Sequence, residues 1–337
     1  MVFDEKDRLP AETFAAMREA GDFAMAVPLT YGGAGSSSGA VLDRLIELGQ
    51  KDASVSWVAG VSVVSKVLAA RLGDDTVLKE IFADPRSVSC GSGRPECGTG
   101  TRDGDDVLVT GAWPNVSGCE DADWAGLGLM LDGAPHVAYI PAGDLRVEHT
   151  WRTVGMRATG SHTLTAGAVR VPAAFVLPMR PFPVDDVLLF ALTVLGPVIG
   201  AARGALNATT AMFGTGRKPF MTAYTSMGES PGARHWLAEA THLITRAEQT
   251  AHTIAAAVDA DGPIPPADLP RWQMAQSSAA RDCRTAVDML LDLHGGGGFS
   301  IDNPIQRFWR DVAADSRHPH LNPYLATENL GKVLTAG

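Results

Sequence analysis

Apolar residues recur along the chain at two different periods, and the change of period marks its segments. Over residues 1–86 the spacing is helical. Pro10-Ala-Glu opens one helix, and Leu42 to Gln50 carries an amphipathic face. Ser54 to Leu72 is richer in apolar residues and closes at Gly73, and Asp75 to Phe82 is a short fourth helix. After Pro85 the apolar runs shorten and are cut by Gly, Asp and Pro. Val107-Leu-Val109, Trp124 to Met130, His136 to Ile140 and Leu164 to Val171 have strand character, and Asp103-Gly104 and Asp132-Gly133 are hairpin-type turns. From Val187 the helical spacing returns. Leu237, Ala240, Ile244, Ala247, Ala251, Ile254 and Val258 alternate at three and four residues, a seam of mostly small side chains that lets helices approach closely. Gly214 to Ser230 reads as a loop, and Asp259 to Pro266 as a break. A second long helix is expected from about Ala267 to Leu293 with Asp268 as its N-cap. The order is helical, then β, then an antiparallel helical bundle.

Composition narrows the class. With 337 residues, 45% hydrophobic and 20% charged, the chain can bury a large core. A net charge of -10 argues against a nucleic-acid partner, which would require clustered Lys and Arg. The longest uncharged run, Val187 to Ala202, falls short of the ~20 residues of a membrane span, so no membrane association is expected. Met1-Val-Phe-Asp-Glu-Lys lacks the basic-then-apolar order of a signal peptide. Cys90, Cys97, Cys119 and Cys283 show neither a Cys-x-x-Cys pair nor zinc-ligand spacing. Reduced thiols, a cytoplasmic location and no metal site are the expectations.

Several motifs then appear in order. They are Pro28-Leu-Thr-Tyr-Gly-Gly-Ala-Gly35, Asp52-Ala-Ser-Val-Ser-Trp57, and Gly111-Ala-Trp113-Pro-Asn-Val116-Ser117-Gly118 with Ala122-Asp-Trp124. Further on come Trp151-Arg-Thr-Val-Gly-Met156-Arg-Ala-Thr159-Gly160-Ser161 and Val169-Arg-Val-Pro172. The C-terminal part carries His294-Gly-Gly-Gly-Gly-Phe299, Pro304-Ile-Gln-Arg307, Arg310-Asp311 and His318. In this order and spacing they resemble the acyl-CoA dehydrogenase superfamily over nearly the whole chain. The resemblance implies an α+β fold: a shortened N-terminal helical domain (1–86), a central β-barrel or sheet domain (87–182) and a C-terminal four-helix bundle (183–337). It also implies that the short N-terminus leaves part of the flavin enclosure more open, or supplied by a partner subunit.

The base position selects the branch. A flavin dehydrogenase acting on a thioester needs a carboxylate to remove the α-proton. In the family's common branch that base lies about eight residues after the Arg-Asp pair; here the eighth residue after Asp311 is Pro319. In another branch it sits on the first long bundle helix; here no Asp or Glu occurs between Asp186 and Glu229. The oxygenase branch has a histidine close to the first position, where His318 stands. The resemblance thus implies a two-component flavin monooxygenase. It would take reduced FAD or FMN from a separate flavin reductase and react it with O2 through a C4a-hydroperoxide. It would hydroxylate or oxidise a small aromatic, polyketide-like or amine substrate. An oxidase or desaturase with His318 or Glu328 as base, and a flavin-independent binding scaffold, are the alternatives.

By the same resemblance His318 and Ser117 are catalytic, the first as substrate base and the second at the flavin C4a–N5 edge. Trp113, Val116, Ser117, Gly118, Trp151, Gly296 and Gly297 bind cofactor; Trp57, Ser92 and His318 border substrate. Other roles also fit these residues. Ser117 would satisfy backbone groups in a tight turn, and His318 would be a surface histidine with His320 as its rival. Arg310-Asp311 reads as a structural pair orienting its segment, and His294 as a residue facing a helix-end dipole. The small-residue seam, together with flavin sites that related folds complete across subunits, predicts a homodimer or homotetramer.

Overall fold

The computed structural model describes residues 7–335. Contacts group the chain into two compact units rather than three consecutive domains. One contains residues up to Ser37, Trp57–Thr153 and Arg157–Phe182; the other contains Ser38–Ser56, Val154–Met156 and everything from Pro183. The boundary at 182 separates sheet from bundle. Near residue 86 the chain passes from helices to strands, the first of which begins at Ser89, and the helices before it are shared out between the two units.

The first unit holds helices α1 (Ala11–Ala20) and α4 (Asp75–Ile81), most of α3 (Ala53–Leu72), and the sheet. Asp74 caps α4 by accepting from the N–H groups of Thr76 and Val77, each at 3.0 Å. The strands are β1 (Ser89–Ser92), β2 (Gly98–Asp103), β3 (Asp106–Val116), β4 (Trp124–Leu131), β5 (Ala134–Pro141), β6 (Arg146–Glu148), β7 (His162–Pro172) and β8 (Val176–Pro178). Their order is β6-β7-β3-β2-β4-β5-β8, with β1 added in parallel to β4. Gly104-Asp105 joins β2 to β3, one residue later than the expected Asp103-Gly104, and Asp132-Gly133 joins β4 to β5. Asp132, Gly133 and Gly104 have positive φ, as such turns require. The core is apolar: Val107, Val109, Leu127, Leu129, Tyr139 and Ile140 are buried. One buried charge interrupts the unit's packing. Lys66 Nζ donates to the carbonyls of Phe23, Pro85 and Ser87 at 2.7, 2.8 and 2.6 Å, and burial pushes its pKa down to about 7.

The second unit is helical: α2 (Ser38–Lys51), α5 (Val184–Phe213), α6 (Pro231–Asp259), α7 (Leu269–His294), α8 (Pro304–Asp315) and α9 (Pro323–Thr335). Helix α2 packs on α5, where a Cβ at Gly200 would lie 2.7 Å from the Gly49 Cα. Only glycine permits that approach. Ser230 caps α6 through its hydroxyl, whereas Asp268 occupies the N-cap of α7 without a side-chain bond. The alanine seam of α6 is consumed inside the chain: Ala240, Ala247 and Ala251 are fully buried, and α6 packs on α5 and α7. It therefore does not supply a subunit contact. Helices α3 and α5 are long and apolar enough to cross a bilayer, but 67% and 83% of their most apolar windows are buried in the protein.

Candidate active site

In the first unit the site is made by a bulge. The β3–β7 register shifts between Trp113 and Val116, where Asn115 takes φ 63°. The shift turns the chain at Ser117-Gly118. Gly118 has φ +71°, and its N–H donates to the Thr159 carbonyl at 2.8 Å. This brings together three hydroxyls. Ser117 Oγ and Ser161 Oγ are 2.7 Å apart, as are Ser161 Oγ and Thr159 Oγ1. Trp57 Nε1–H donates to Ser117 Oγ at 2.9 Å. The Ser117 oxygen keeps a second lone pair, so either hydroxyl can donate in its contact with Ser161. At the turn the Ser117 hydroxyl thus engages the Trp57 and Ser161 side chains rather than the backbone groups expected of a turn residue.

The other predicted residues of this unit divide. Trp57 and Trp151 are half-buried, so part of each indole remains accessible. Gly118 is buried beneath the turn, where a Cβ would lie 3.1 Å from Val58. Trp113 is fully buried, and its Nε1–H donates to the Gly128 carbonyl at 2.6 Å. A Cβ at Gly98 would lie 2.3 Å from its ring. Trp113 is therefore a core residue that anchors β3, not a wall for a cofactor. Val116 is also fully buried, which leaves only its backbone for recognition. Ser92 ends β1 half-buried, opposite Leu127. Trp124 stacks on Phe175 at 6.0 Å and belongs to packing.

A flavin edge offers ring nitrogens and carbonyl oxygens, which call for neutral donors and a flat apolar wall. The Ser117 hydroxyl, backed by Ser161 and Thr159, is a neutral group of that kind and the half-buried Trp151 is such a wall, so these residues fit the group.

In the second unit the C-terminal segment is built around two side chains that do several jobs each. Asn303 caps α8 through Oδ1, 3.2 Å from the Ile305 N–H, and its Nδ2 donates to His294 Nδ1 and to the Gly297 carbonyl, both at 3.2 Å. His294 Nε2–H then faces Thr209 Oγ1 at 3.2 Å. Burial, helped by Arg217, lowers the His294 pKa. Instead of facing a helix dipole as a cation, His294 is a neutral cross-link that shapes the glycine turn. Gly296 and Gly297 are exposed, and a Cβ on either would meet nothing. Arg310 and Asp311 grip the segment Val154–Met156. Arg310 donates to the Val154 carbonyl, and the Met156 N–H donates to Asp311 Oδ1 at 2.6 Å. A Cβ at Gly155 would lie 2.1 Å from the Arg310 carbonyl oxygen, which explains the glycine of the Trp151 to Ser161 motif. Asp52 accepts from the Ser54 N–H at 2.8 Å and from Arg307 at 2.7 Å, which explains its place before α3.

His318 follows α8, with its N–H on the Asp315 carbonyl at 2.9 Å. It is half-buried and stacks on His320 at 5.4 Å. Burial first, and His320 second, push its pKa down to about 4, so the ring is neutral at physiological pH. The His320 N–H approaches Nδ1 at 3.4 Å, a long contact that favours the tautomer with hydrogen on Nε2. In that tautomer the resting ring carries its donor at Nε2. Glu328, the alternative base, lies on α9 with its side chain 51% exposed and paired to Lys332 at 3.4 Å. Sequence reasoning missed two features. Asp315 is buried with no hydrogen-bond partner on either carboxylate oxygen. His162, which begins β7 directly after the quoted Ser161, gathers Glu120 and His149 around it.

Known proteins resemble this chain throughout its length. The sequence descriptions "Acyl-CoA dehydrogenase, N-terminal domain" and "Acyl-CoA dehydrogenase, C-terminal domain" match residues 2–83 and 192–323. The oxygenase component of an FADH(2)-dependent resorcinol hydroxylase from Rhizobium sp. is 30% identical, over 95% of this chain and 86% of that protein. The oxygenase subunit HsaA of a flavin-dependent monooxygenase from Rhodococcus jostii is 27% identical, over 94% and 89%. Among solved structures, XiaF from Streptomyces sp. in complex with FADH2 and glycerol superimposes with a TM-score of 0.90 at 28% identity, covering 98% of this chain and 90% of that one.

Proposed function

The chain belongs to the acyl-CoA dehydrogenase family, and on that premise we propose that it is the oxygenase component of a two-component flavin-dependent monooxygenase. Its substrate is a small electron-rich aromatic molecule, and its cofactor is reduced FAD or FMN delivered by a separate reductase. When bound, the reduced flavin supplies the electrons that activate O2 for transfer of one oxygen atom. Ser117, directed by Trp57 and backed by Ser161, offers a hydroxyl to the flavin edge. The exposed Gly296 and Gly297 leave room for close approach, Val116 and Gly118 offer backbone only at the turn of Ser117, and Trp151 is an aromatic wall. Trp57 and Ser92 border the substrate.

His318 is the observation that carries this reading. The position where a dehydrogenase needs an ionised carboxylate holds a neutral imidazole, and α5 offers no acid from Val187 to its end at Phe213. A neutral ring orients a phenolic hydroxyl through Nε2–H; to take the phenolic proton at Nε2 it first shifts its hydrogen to Nδ1, which gives up the His320 N–H contact. Proton abstraction next to a thioester is not its task.

Assembly as a homodimer or homotetramer belongs to the same proposal. Exposed Phe299, Ile301 and Tyr324 are the apolar surface such an assembly would cover. Work in the cytoplasm beside the reductase also belongs to it. The test is to supply chemically reduced FAD or FMN and ¹⁸O₂ with a panel of phenols and indoles. A product carrying one ¹⁸O atom, dependent on reduced flavin, supports the assignment. A desaturated product without label, or no affinity for reduced flavin, removes it.

A further inference from the structure

The cluster of Glu120, His149 and His162 in the first unit is not used by the chemistry above. Its ligand-type atoms lie within 4.8 Å of one another, which invites a metal ion. The hydrogen-bond directions argue otherwise. The Trp151 N–H donates to His162 Nδ1 at 3.1 Å, so that nitrogen carries no hydrogen and the neutral ring has its hydrogen on Nε2. Nε2–H in turn faces His149 Nδ1 at 3.4 Å and Glu120 Oε2 at 3.5 Å. A metal on Nε2 would require the hydrogen on Nδ1, directly against the Trp151 N–H. The arrangement is complete as a relay running from the Trp151 N–H through His162 to His149 and Glu120.

The ring sits at a junction. His162 is buried, pairs with Val116 across the β3–β7 ladder, and directly follows Ser161 of the hydroxyl cluster. Its Nδ1 reaches the segment that carries Trp151. We propose that His162 is a positioning residue, whose neutral imidazole ties the segment 149–153 to the Ser117–Ser161 turn and so holds Trp151 in place as a wall of the cofactor site. The cofactor part of this statement rests on the flavin reading; the tie itself does not.

A protonated ring cannot accept the Trp151 N–H, so the tie is lost on protonation. The groups facing His162 are Glu120 and His149, with Asp7 acting at longer range. Glu120 and Asp7 favour the charged ring, while burial, the largest effect, and His149 oppose it. Burial therefore keeps the tie intact to lower pH than an exposed histidine would.

Substitution of His162 tests this. His162→Asn places Oδ1 where Nδ1 stood and retains the acceptor; His162→Ala removes it. In flavin-free protein, amide exchange of residues 149–153 is expected to quicken roughly 3–10-fold in His162→Ala and to stay near wild type in His162→Asn, the size of one net hydrogen bond. Reduced-FAD affinity, read by tryptophan quenching, should fall by a similar factor in His162→Ala alone. It should also weaken on acidification in wild type but not in His162→Asn. Equal exchange in all three proteins overturns the proposal, as does loosening in His162→Asn equal to that in His162→Ala. Should wild type bind no reduced flavin at all, the functional assignment falls, and the exchange data still judge the tie.

Discussion

The hydroxyl turn at Ser117 and the segment around His318 make an instructive contrast. At the turn, polar groups support one another: an indole N–H and three hydroxyls form a chain of bonds, next to the bond from the Gly118 N–H to the Thr159 carbonyl, all between 2.7 and 2.9 Å. Around His318 the bonding differs at two points. The Nδ1 contact is 3.4 Å, and the neighbouring Asp315 is buried without a partner. A turn of the first kind holds geometry and resists change. A segment of the second kind holds groups whose protonation is set by burial, which suits proton handling and costs stability.

The largest effect should come from the second region. His318→Ala is expected to lower the single-turnover oxygen-transfer rate by ~10²–10⁴-fold with reduced-flavin affinity nearly unchanged. His320→Ala, which keeps the backbone N–H, should do little by comparison; the reverse ranking would mean that the wrong ring has been assigned.

Asp315→Asn sharpens the contrast from the side of stability. Burial and Asp311 push the Asp315 carboxyl well above the usual range. A raised carboxyl pKa means that the folded state holds its proton longer, so stability is lost as pH rises from the unfolded value near 3.8. Removing the acid should therefore stabilise the protein more at pH 8 than at pH 4. Denaturant titrations at the two pH values would show this, and an equal effect at both would contradict the isolation of Asp315.

Ser117→Ala probes the hydroxyl chain. It leaves the Trp57 N–H without its acceptor, at a cost of roughly 1–3 kcal/mol. More reducing equivalents should appear as H2O2 relative to product, a ratio that peroxide assay measures. Unchanged coupling would reduce Ser117 to a turn residue.

The smallest expected effect concerns pH. With the His318 pKa at about 4, the ring stays neutral where a free histidine would be charged. At pH 5.5 this keeps the neutral form about tenfold more populated than at the ordinary pKa of about 6.5. Oxygen transfer should thus lack an acid limb near pH 6.5 that His318→Ala removes. For the same reason the stability from neutral His318 is present above pH 6.5 and is lost as pH falls through about 4.

The sequence by itself determined the elements. Period, turn residues and breaks place α2, α3 and the β2–β3 and β4–β5 hairpins within a few residues of their observed ends, because those signals are local in the chain. It also determined the family through motif order, and the absence of an acid in the stretch after Asp186. Only the tertiary structure decided which motif residues face inward. Trp113 reads as a cofactor wall in its motif, yet it meets Gly98 and Gly128 in the core. The α6 alanines read as a subunit contact, yet they meet α5 and α7. The direction of a ring hydrogen was beyond the sequence for the same reason. At His162 it is settled by the N–H of Trp151, and at His294 by the amide of Asn303. Burial and hydrogen-bond direction depend on neighbours that the fold, rather than the order of residues, brings within reach.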